Sequence, residues 1–586
     1  MILQALTHYY EDLLNLGTIA RPGWNLSKIS YGLLLDDDGH LVQLLHLQQE
    51  VSRGKKMVLA PQEYSLPAPV KRSSGVAPNF LWDNSGYLLG ADNKGKPQRT
   101  AQCFAAAREL HLSLLRDADS PAARAIVRFF ENWDPARAAD CPVLLEDWED
   151  LMKGGNLTFW YQGRPAAEDP VIQEAWQRHY DGGDDAGEPD ILCLVTGRRG
   201  PLAQLHPSIK GVAGAQATGA SLVSFNASAF CSYDHEQGAN APTSEYAAFA
   251  YTTALNTLLA DRNHVCRVGD TTIVLWAEGA GNAYQDCAMA ALFGGMGSDA
   301  PAYQENDLLN ALKQLASGHA IDWEESRLDP NTRFYVLGLA PNAARLSVRF
   351  FWQNSFGQLA RNLDAHYNRL RIVRPSYDQT SSLTVWRMVL ETVRKVPAGS
   401  KRPEPSPRLA GDLLLAILNN APYPATLLDG VQLRIRAQQD ISWGQAAILK
   451  AYYLRNSSNQ QLKEVMTMEL NEQSTYLPYV LGRLFSVLEA VQQRANPGIN
   501  TTIKNRYFNS ASATPALVFP TLINLAQKHL NKLDSGIATY YDKRITELSS
   551  RITETLPARM TLPEQSAFQI GYYHETQKRY TKKEEK

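Results

Sequence analysis

The residues best suited to contact a ligand lie in a glycine-containing run from 211 to 230. Polar side chains alternate there with Gly and Ala, and the run is the chain's candidate for a phosphate-binding loop. A nucleotide-hydrolysing P-loop requires a lysine after its last glycine, and none follows Gly219. Small residues let a backbone approach a duplex closely, and Gln or Asn can probe the minor groove. The run therefore predicts either a DNA contact or a tightly packed strand and loop. The candidate contacts are Gln216, Thr218, Ser221 and Asn226, and Lys210, Arg198 and Arg199 add positive charge nearby in sequence.

A second candidate segment extends from 70 to 84. Its basic and hydroxyl side chains are of the kinds that usually contact phosphates, and its Asn side chains carry a donor and an acceptor suited to a base edge. The alternative is an exposed loop in which Asn residues cap turns. The candidate residues are Lys71, Arg72, Ser73, Ser74, Asn79 and Asn84.

A third candidate lies near the C-terminal end, from 500 to 515. Lys504 and Arg506 stand beside Tyr507 and Phe508. Basic residues interleaved with aromatic ones suit a single strand, through charge and base stacking. The same pattern also fits a helix end whose aromatic residues belong to the core.

Catalytic chemistry has no comparable signal. The patterns G-x-x-x-x-G-K-[ST], H-E-x-x-H and G-x-S-x-G do not occur. The acidic clusters at 36–38, 146–150 and 184–185 are more typical of solvated turns than of a metal site. His111 and His206 are interpreted as structural, and nothing identifies a partner for a nucleophilic Cys231. We predict a protein without catalytic residues, metal or cofactor.

Composition restricts how such a chain can bind nucleic acid. The 586 residues are enough for three or four average domains, and 58 basic residues nearly balance 60 acidic ones. Any DNA contact must therefore use local patches, or an assembly whose other members hold the charge. Six widely spaced cysteines indicate reduced thiols rather than zinc ligands. The N-terminus does not read as a signal peptide, and no apolar run is long enough to span a membrane. We expect a protein of the prokaryotic cytoplasm.

Periodicity predicts the elements that must position these candidates. An Asp-Gly turn at 38–39 predicts a hairpin, and Gly residues at 197–200 predict another. The predicted strands cover 29–35, 41–47, 271–278 and 345–352, and the predicted helices cover 3–13, 102–132 and 245–261. Almost every segment beyond 355 is predicted helical, and the proline-rich stretch 397–408 is predicted as a loop. The fold class is α+β, with a mixed strand-rich body (1–355), a helical connecting region (356–465) and an all-α bundle (466–586).

Several long blocks carry a family resemblance. They are MILQALTHYYEDL at the start, APNFLWDNSGYLLG, LHPSIKGVAGAQATGASLVSFNASAF, NAPTSEYAAFAYTTALNTLL, FYVLGLAPNAARLSVRFFW, and LGRLFSVLEAVQQRANPGINTTIKNRYFNSASATPALVFPTL near the end. In content and order the chain resembles the large subunit of the type I-C CRISPR surveillance complex, Cascade. The resemblance covers essentially the whole sequence.

The resemblance implies a non-catalytic role in antiviral defence. The family's large subunit sits at the 5′ end of the crRNA and contacts the crRNA-bound backbone subunits, the subunit that binds the 5′ handle, and the small subunits. It reads the PAM in target double-stranded DNA, helps to form the R-loop with its displaced strand, and recruits a separate helicase-nuclease. Guide pairing supplies the rest of the specificity, as in other RNA-guided effectors. The alternatives are a metal-dependent nuclease within a CRISPR system and a scaffold without a DNA role.

The resemblance also implies a second product from the same gene. In this family the C-terminal part is translated separately, from an internal start, as the small subunit. Met466 and Met468 stand where such a product could begin, and the residues from 466 onward include 15 basic and 11 acidic side chains. We expect this piece to fold alone and to guide the displaced strand.

Overall fold

The computed structural model describes residues 1–53, 56–70, 75–182, 190–279, 281–294, 305–375, 383–396 and 403–580. The chain divides into two compact units. The first contains Met1, Leu3–His206 and Phe225–Tyr251, and the second contains Ile2, Pro207–Ser224 and Thr252–Lys586.

Most strands of the first unit belong to two small sheets. In one the strand order is β3-β2-β7-β6, with β8 paired to β7, and in the other it is β1-β5-β4. The elements up to residue 201 are α1 (Ile2–Asn15), β1 (Trp24–Ile29), β2 (Tyr31–Leu35), β3 (Leu41–His46), β4 (Gln48–Arg53), β5 (Lys56–Pro67), β6 (Trp82–Asn84), α2 (Ser85–Leu88), α3 (Pro97–Leu115), α4 (Pro121–Asn132), α5 (Trp148–Lys153), β7 (Asn156–Tyr161), β8 (Arg164–Pro165), α6 (Pro170–Gly182), β9 (Asp190–Leu192) and β10 (Arg199–Pro201).

The first predicted hairpin is confirmed as the antiparallel pair β2 and β3. At its turn, the Asp36 Oδ1 accepts hydrogen bonds from the backbone N–H groups of Asp38 (3.0 Å) and His40 (2.8 Å). Gly39 has a φ of 79°, which glycine adopts without steric cost. The acidic cluster at 36–38 is therefore a hydrogen-bonded turn, as predicted.

The helical stretch predicted over 102–132 is confirmed, and the structure divides it into two helices. α3 ends at Leu115 and α4 begins at Pro121. Proline lacks the N–H that would continue a helix and favours the first helical position. The Ser120 hydroxyl caps α4 by accepting from the Ala123 N–H (3.4 Å), and it donates to Asp169 (2.7 Å).

His111 lies in the core of the first unit, as its structural interpretation predicted. Its Nε2 accepts from the backbone N–H of Leu81 (2.8 Å), and its Nδ1 therefore carries the proton given to the Ala107 carbonyl (2.7 Å). Leu81 has a left-handed φ of 65°, a conformation that costs a non-glycine residue free energy. Burial lowers the pKa of His111 to about 4, so the ring is neutral at pH 7.

The second unit begins with an antiparallel sheet of order β11-β12-β15-β16. Every residue of β12 is buried, as suits a central strand with both faces covered. The predicted strands at 271–278 and 345–352 are confirmed, and so is the helix over 245–261. The elements between residues 245 and 355 are α7 (Glu245–Ala260), whose residues up to Tyr251 belong to the first unit, β11 (Val265–Val268), β12 (Thr271–Ala277), α8 (Ala283–Phe293), α9 (Glu305–Ala316), β13 (Ile321–Trp323), β14 (Ser326–Leu328), β15 (Arg333–Asn342) and β16 (Arg345–Ser355).

In the described part of the chain after Ser355, all labelled elements are helices, which confirms the predicted α+β class. They are α10 (Phe356–Leu370), α11 (Val385–Leu390), α12 (Leu409–Leu418), α13 (Ala425–Gln438), α14 (Trp443–Asn456), α15 (Gln460–Val465), α16 (Leu477–Ala495), α17 (Ile503–Ala513), α18 (Pro515–Leu530), α19 (Ser535–Ser550) and α20 (Leu562–Tyr580). Of the predicted loop 397–408, residues 397–402 lie outside the described residues, and the rest precedes α12.

The helices after residue 466 share a hydrophobic core with the helices before it. The Tyr573 hydroxyl of α20 donates to the Val373 carbonyl (2.6 Å), and Ser566 donates to the Tyr453 hydroxyl (3.0 Å). Met466 is itself buried in this core. Within the full chain, the segment predicted as a separate bundle is thus packed into the second unit.

Candidate nucleic-acid interface

The run predicted to contact DNA contains a closed loop from Lys210 to Gly219. Ile209 and Ala220 exchange two backbone hydrogen bonds, of 2.9 and 2.8 Å, and so join the two ends of the loop. Gly211, Gly214 and Gly219 have φ angles of 87°, 80° and 104°, in the region that favours glycine. The glycines that resemble a phosphate cradle in the sequence therefore shape the turns of this loop.

Backbone hydrogen bonds hold the closed loop in place, and its exposed side chains include polar ones. Its backbone N–H groups at Lys210 and Ala213 donate to Asn256 Oδ1 (2.8 Å) and Thr272 Oγ1 (3.1 Å). The side chains of Lys210, Gln216 and Thr218 are exposed, and the residues between them are Gly, Ala and Val. The arrangement presents one cation, one carboxamide and one hydroxyl on a backbone held by hydrogen bonds, which can approach a groove closely.

The other two candidates in the run, Ser221 and Asn226, lie outside the closed loop. Ser221 is half-buried, and its backbone bonds to the Ala344 carbonyl (3.0 Å) and to the Leu346 N–H (3.0 Å). Asn226 is exposed but belongs to the first unit, because the boundary between units falls after Ser224. The run from 211 to 230 is therefore divided between the two units.

Arg198 and Arg199 lie on the second predicted hairpin, which the antiparallel pair β9 and β10 confirms. Both side chains are exposed. The Arg199 guanidinium is 3.9 Å from the Asp190 carboxylate, a solvent-exposed ion pair that restrains it little. Both arginines thus stand at the surface of the first unit, where a phosphate could reach them.

In the segment 70–84, the asparagine side chains form hydrogen bonds with nearby backbone groups. Asn79 is 5% exposed, and its Oδ1 accepts from the Val70 N–H (3.0 Å). Asn84 caps α2 by accepting from the Gly86 N–H (3.1 Å). These contacts match the turn-capping alternative, and the expectation that Asn79 presents its carboxamide to a base does not fit its buried position. Lys71, Arg72, Ser73 and Ser74 lie outside the described residues.

The basic and aromatic cluster at the C-terminal end is on α17. Lys504 lies 3.3 Å from the Asp440 carboxylate, whereas Arg506 is exposed beside the ring of Tyr507. Phe508 is fully buried and packs against Phe485. Base stacking on Phe508 is therefore excluded in this structure, and the core alternative is confirmed for that residue.

The sequence patterns did not indicate a further group of cationic side chains that the structure brings together. Arg387 lies on α11, and Arg394 and Lys395 follow it a few residues later. They line a cavity whose other wall is formed by Ser442 and Trp443, at the start of α14. The basic residues were visible in the sequence, but nothing in their spacing indicated which distant segment would face them.

The histidine and cysteine side chains have structural surroundings. His206 is half-buried, its Nδ1 is 2.7 Å from the Tyr251 hydroxyl, and burial lowers its pKa, in keeping with a structural role. Among the described residues, no group of three or more His, Cys, Asp or Glu side chains is arranged to hold a metal ion. All six cysteines are free thiols, and four of them are buried. No helix in the described ranges is long and apolar enough to cross a membrane.

Comparison with known proteins places the chain in one family. No curated protein matches the sequence. A family model described as "CRISPR-associated protein (Cas_Csd1)" matches residues 6–580, nearly the whole chain. The matched region contains most of both compact units, the closed loop 210–219 and the helices described after residue 355. The chain therefore belongs to the Cas_Csd1 family of CRISPR-associated proteins, the large-subunit family of the type I-C system.

Proposed function

We propose that this protein is the non-catalytic DNA-recognition subunit of a crRNA-guided type I-C interference complex. In this proposal it reads the PAM in duplex DNA, assists R-loop formation in the prokaryotic cytoplasm, and recruits a separate helicase-nuclease. Family membership supports the complex, and the closed loop 210–219 supports the DNA contact. Its two exposed uncharged polar side chains, Gln216 and Thr218, are flanked by small residues on a hydrogen-bonded backbone.

The loop is suited to reading bases rather than to binding phosphates alone. Lys210 is its only cationic residue, and its other exposed polar side chains are a carboxamide and a hydroxyl. A carboxamide both donates and accepts, which allows it to distinguish base edges in a groove. Arg198 and Arg199, which are exposed on the first unit, are of the residue type that contacts phosphates, and such contacts position a duplex without reading it.

The test uses the assembled complex with crRNA. Gln216→Ala combined with Thr218→Ala is expected to leave assembly intact and to weaken binding to PAM-containing duplex by about 5- to 150-fold, the range for one lost bidentate base contact. Binding to a duplex without the PAM should change much less. Gln98→Ala, an exposed glutamine at the start of α3, is the matched control. An unchanged ratio of the two affinities would contradict the proposal.

The non-catalytic part of the proposal has its own test. The purified chain is incubated with labelled DNA and Mg²⁺ and compared with the complex joined by its helicase-nuclease. We expect cleavage only when the helicase-nuclease is present. Specific cleavage by the chain alone, abolished by a single carboxylate substitution, would instead favour the nuclease alternative.

We also propose that the segment from Met466 or Met468 is made separately as a small subunit. Within this segment, α16 and α20 pack against each other. In a separate product, the faces of α20 that contact earlier helices in the full chain would be free for a partner subunit. Expression of the gene with Met466→Leu and Met468→Leu should abolish a short C-terminal product. Persistence of that product would exclude these two starts.

A further inference from the structure

The second unit has a cationic groove between α11 and the start of α14. Its cavity is about 480 Å³ and is lined by Arg387, Arg394, Lys395, Glu391 and the Ser442–Gly444 turn. Leu383, Leu390, Val393 and Val396 complete the lining with aliphatic side chains. We refer to this feature as the α11–α14 groove. The groove shares no residue with the closed loop 210–219 or with the candidate binding residues named from the sequence.

The charge of the α11–α14 groove is unbalanced. Among the residues that the structure describes, three cationic side chains and one carboxylate, that of Glu391, line the groove. This carboxylate is already engaged, because Ser442 Oγ donates to its Oε2 (2.8 Å) and Lys395 Nζ lies 3.5 Å from its Oε1. Arg394 and Lys395 are exposed. A concave site with an excess of cations attracts anions more strongly than the same charges on a convex surface.

The walls of the groove are fixed by packing. Trp443 is 7% exposed, and the Arg374 guanidinium stacks 4.1 Å from the centre of its ring. Ser442 and Gln445 form a capping box that fixes the first turn of α14. The cations therefore surround a preformed depression.

We propose that the α11–α14 groove binds the phosphodiester backbone of a single-stranded nucleic acid. The guanidinium and ammonium groups of the lining match phosphate oxygens, and its aliphatic side chains offer an apolar surface to the sugar and base faces that an unpaired strand exposes. A duplex keeps its base faces stacked, so it has less to place against that apolar surface. This contact with a single strand adds to the proposed function. It rests on the proposed function only because R-loop formation would supply the unpaired strand.

The test measures binding of the full chain to fluorescent dT20 and rU20 at several salt concentrations. Arg394→Gln with Lys395→Gln is expected to weaken binding about tenfold or more near 0.1 M salt. It should also reduce the steepness of the plot of log K against log salt concentration by about 1.4, because each of the two lost phosphate contacts on a single strand contributes about 0.7. The strand type that loses affinity identifies the natural ligand as DNA or RNA. Unchanged affinity for both oligonucleotides would overturn the proposal, and so would an equal loss for a 20-base-pair duplex.

Two further variants separate a groove contact from loss of fold or of bulk charge. Lys94→Gln with Lys96→Gln removes an exposed basic pair of the first unit and should leave affinity unchanged. Glu391→Gln removes the carboxylate but keeps an acceptor for Ser442, and it should tighten binding about threefold, a gain that misfolding cannot produce. Weaker binding by Glu391→Gln would also contradict the proposal. PAM preference should persist in the Arg394 and Lys395 variant, so failure of this inference is distinguishable from failure of PAM reading by the loop.

Discussion

Arg483 Nε donates to Glu575 Oε2 at 3.0 Å, joining α16 to α20 where Arg483 is fully buried. Arg483 also donates to the carbonyls of Asn471 and Glu472 (3.1 and 3.2 Å), and Arg544 donates to the same Glu575 carboxylate (2.9 Å). One buried carboxylate thus serves two guanidinium groups. Such a pair holds a register between helices, because either charge left alone in the interior is costly.

Glu575→Ala should strongly destabilise the second unit, because it leaves the two arginines without their shared partner. The expected loss is about 3–5 kcal/mol, the usual cost of breaking a buried pair from one side. Denaturant unfolding of the full chain measures it. Arg124→Ala, which removes the exposed pair with Asp119, is the control and should change nothing measurable. Equal unfolding midpoints for Glu575→Ala and the parent protein would contradict the prediction.

Gly482→Ala should destabilise the crossing of α16 and α20. A Cβ at Gly482 would collide with the Phe568 carbonyl, and one at Gly571 would collide with the Tyr479 carbonyl. Overpacking of this kind costs about 1–3 kcal/mol or more. Gly536→Ala is a matched control, because it lies in α19 with no atom near the added methyl, and its expected effect is neutral or stabilising. Thermal unfolding compares them, and a Gly482→Ala midpoint at or above that of Gly536→Ala would refute the close approach.

Stability should fall as the pH drops below about 6.5, because buried histidines stay neutral in the folded state. Burial lowers the pKa of His111 to about 4, and burial lowers the pKa of both His366 and His574 to about 3. The unfolded chain therefore binds more protons between the folded values and 6.5, and each group removes up to about 1.4 kcal/mol of stability per pH unit there.

His111→Gln isolates one of these groups. Glutamine can both accept from Leu81 and donate to Ala107, but it does not titrate. Between pH 7 and pH 5 the variant should lose about 2 kcal/mol less stability than the parent protein, as measured by denaturant unfolding monitored in the first unit. Parallel pH profiles for the two proteins would show that His111 is not held neutral.

Gly219→Ala should impair PAM binding without preventing assembly. Gly219 has a φ of 104°, and an added Cβ would lie 2.7 Å from the Ser208 Cβ, at the base of the closed loop. The substitution therefore displaces Gln216 and Thr218 together. Gly17→Ala has a similar backbone strain (φ 70°) with no neighbour near the methyl, and it should not affect DNA binding. Equal PAM affinities of the two variants, measured on the assembled complex, would contradict the role of loop geometry.

Local sequence patterns were sufficient for much of the fold. The Asp-Gly turn at 38–39, the helix α7 and the helical second half were all predicted, because turn chemistry and hydrophobic periodicity act over a few residues. The resemblance of long blocks also identified the family. Periodicity did not predict the break between α3 and α4, which falls between Leu115 and Pro121.

The tertiary structure decided which candidate side chains face solvent. Asn79 and Gln216 were equally polar candidates, yet Asn79 is buried against the Val70 backbone and Gln216 is exposed on a closed loop. Phe508 belongs to the core because α16 and α20 cover it. Arg387 and Ser442 share a groove although 55 positions separate them in the chain. The sequence by itself determined the family and the local elements, whereas burial and juxtaposition depend on contacts between distant segments, which no local pattern encodes.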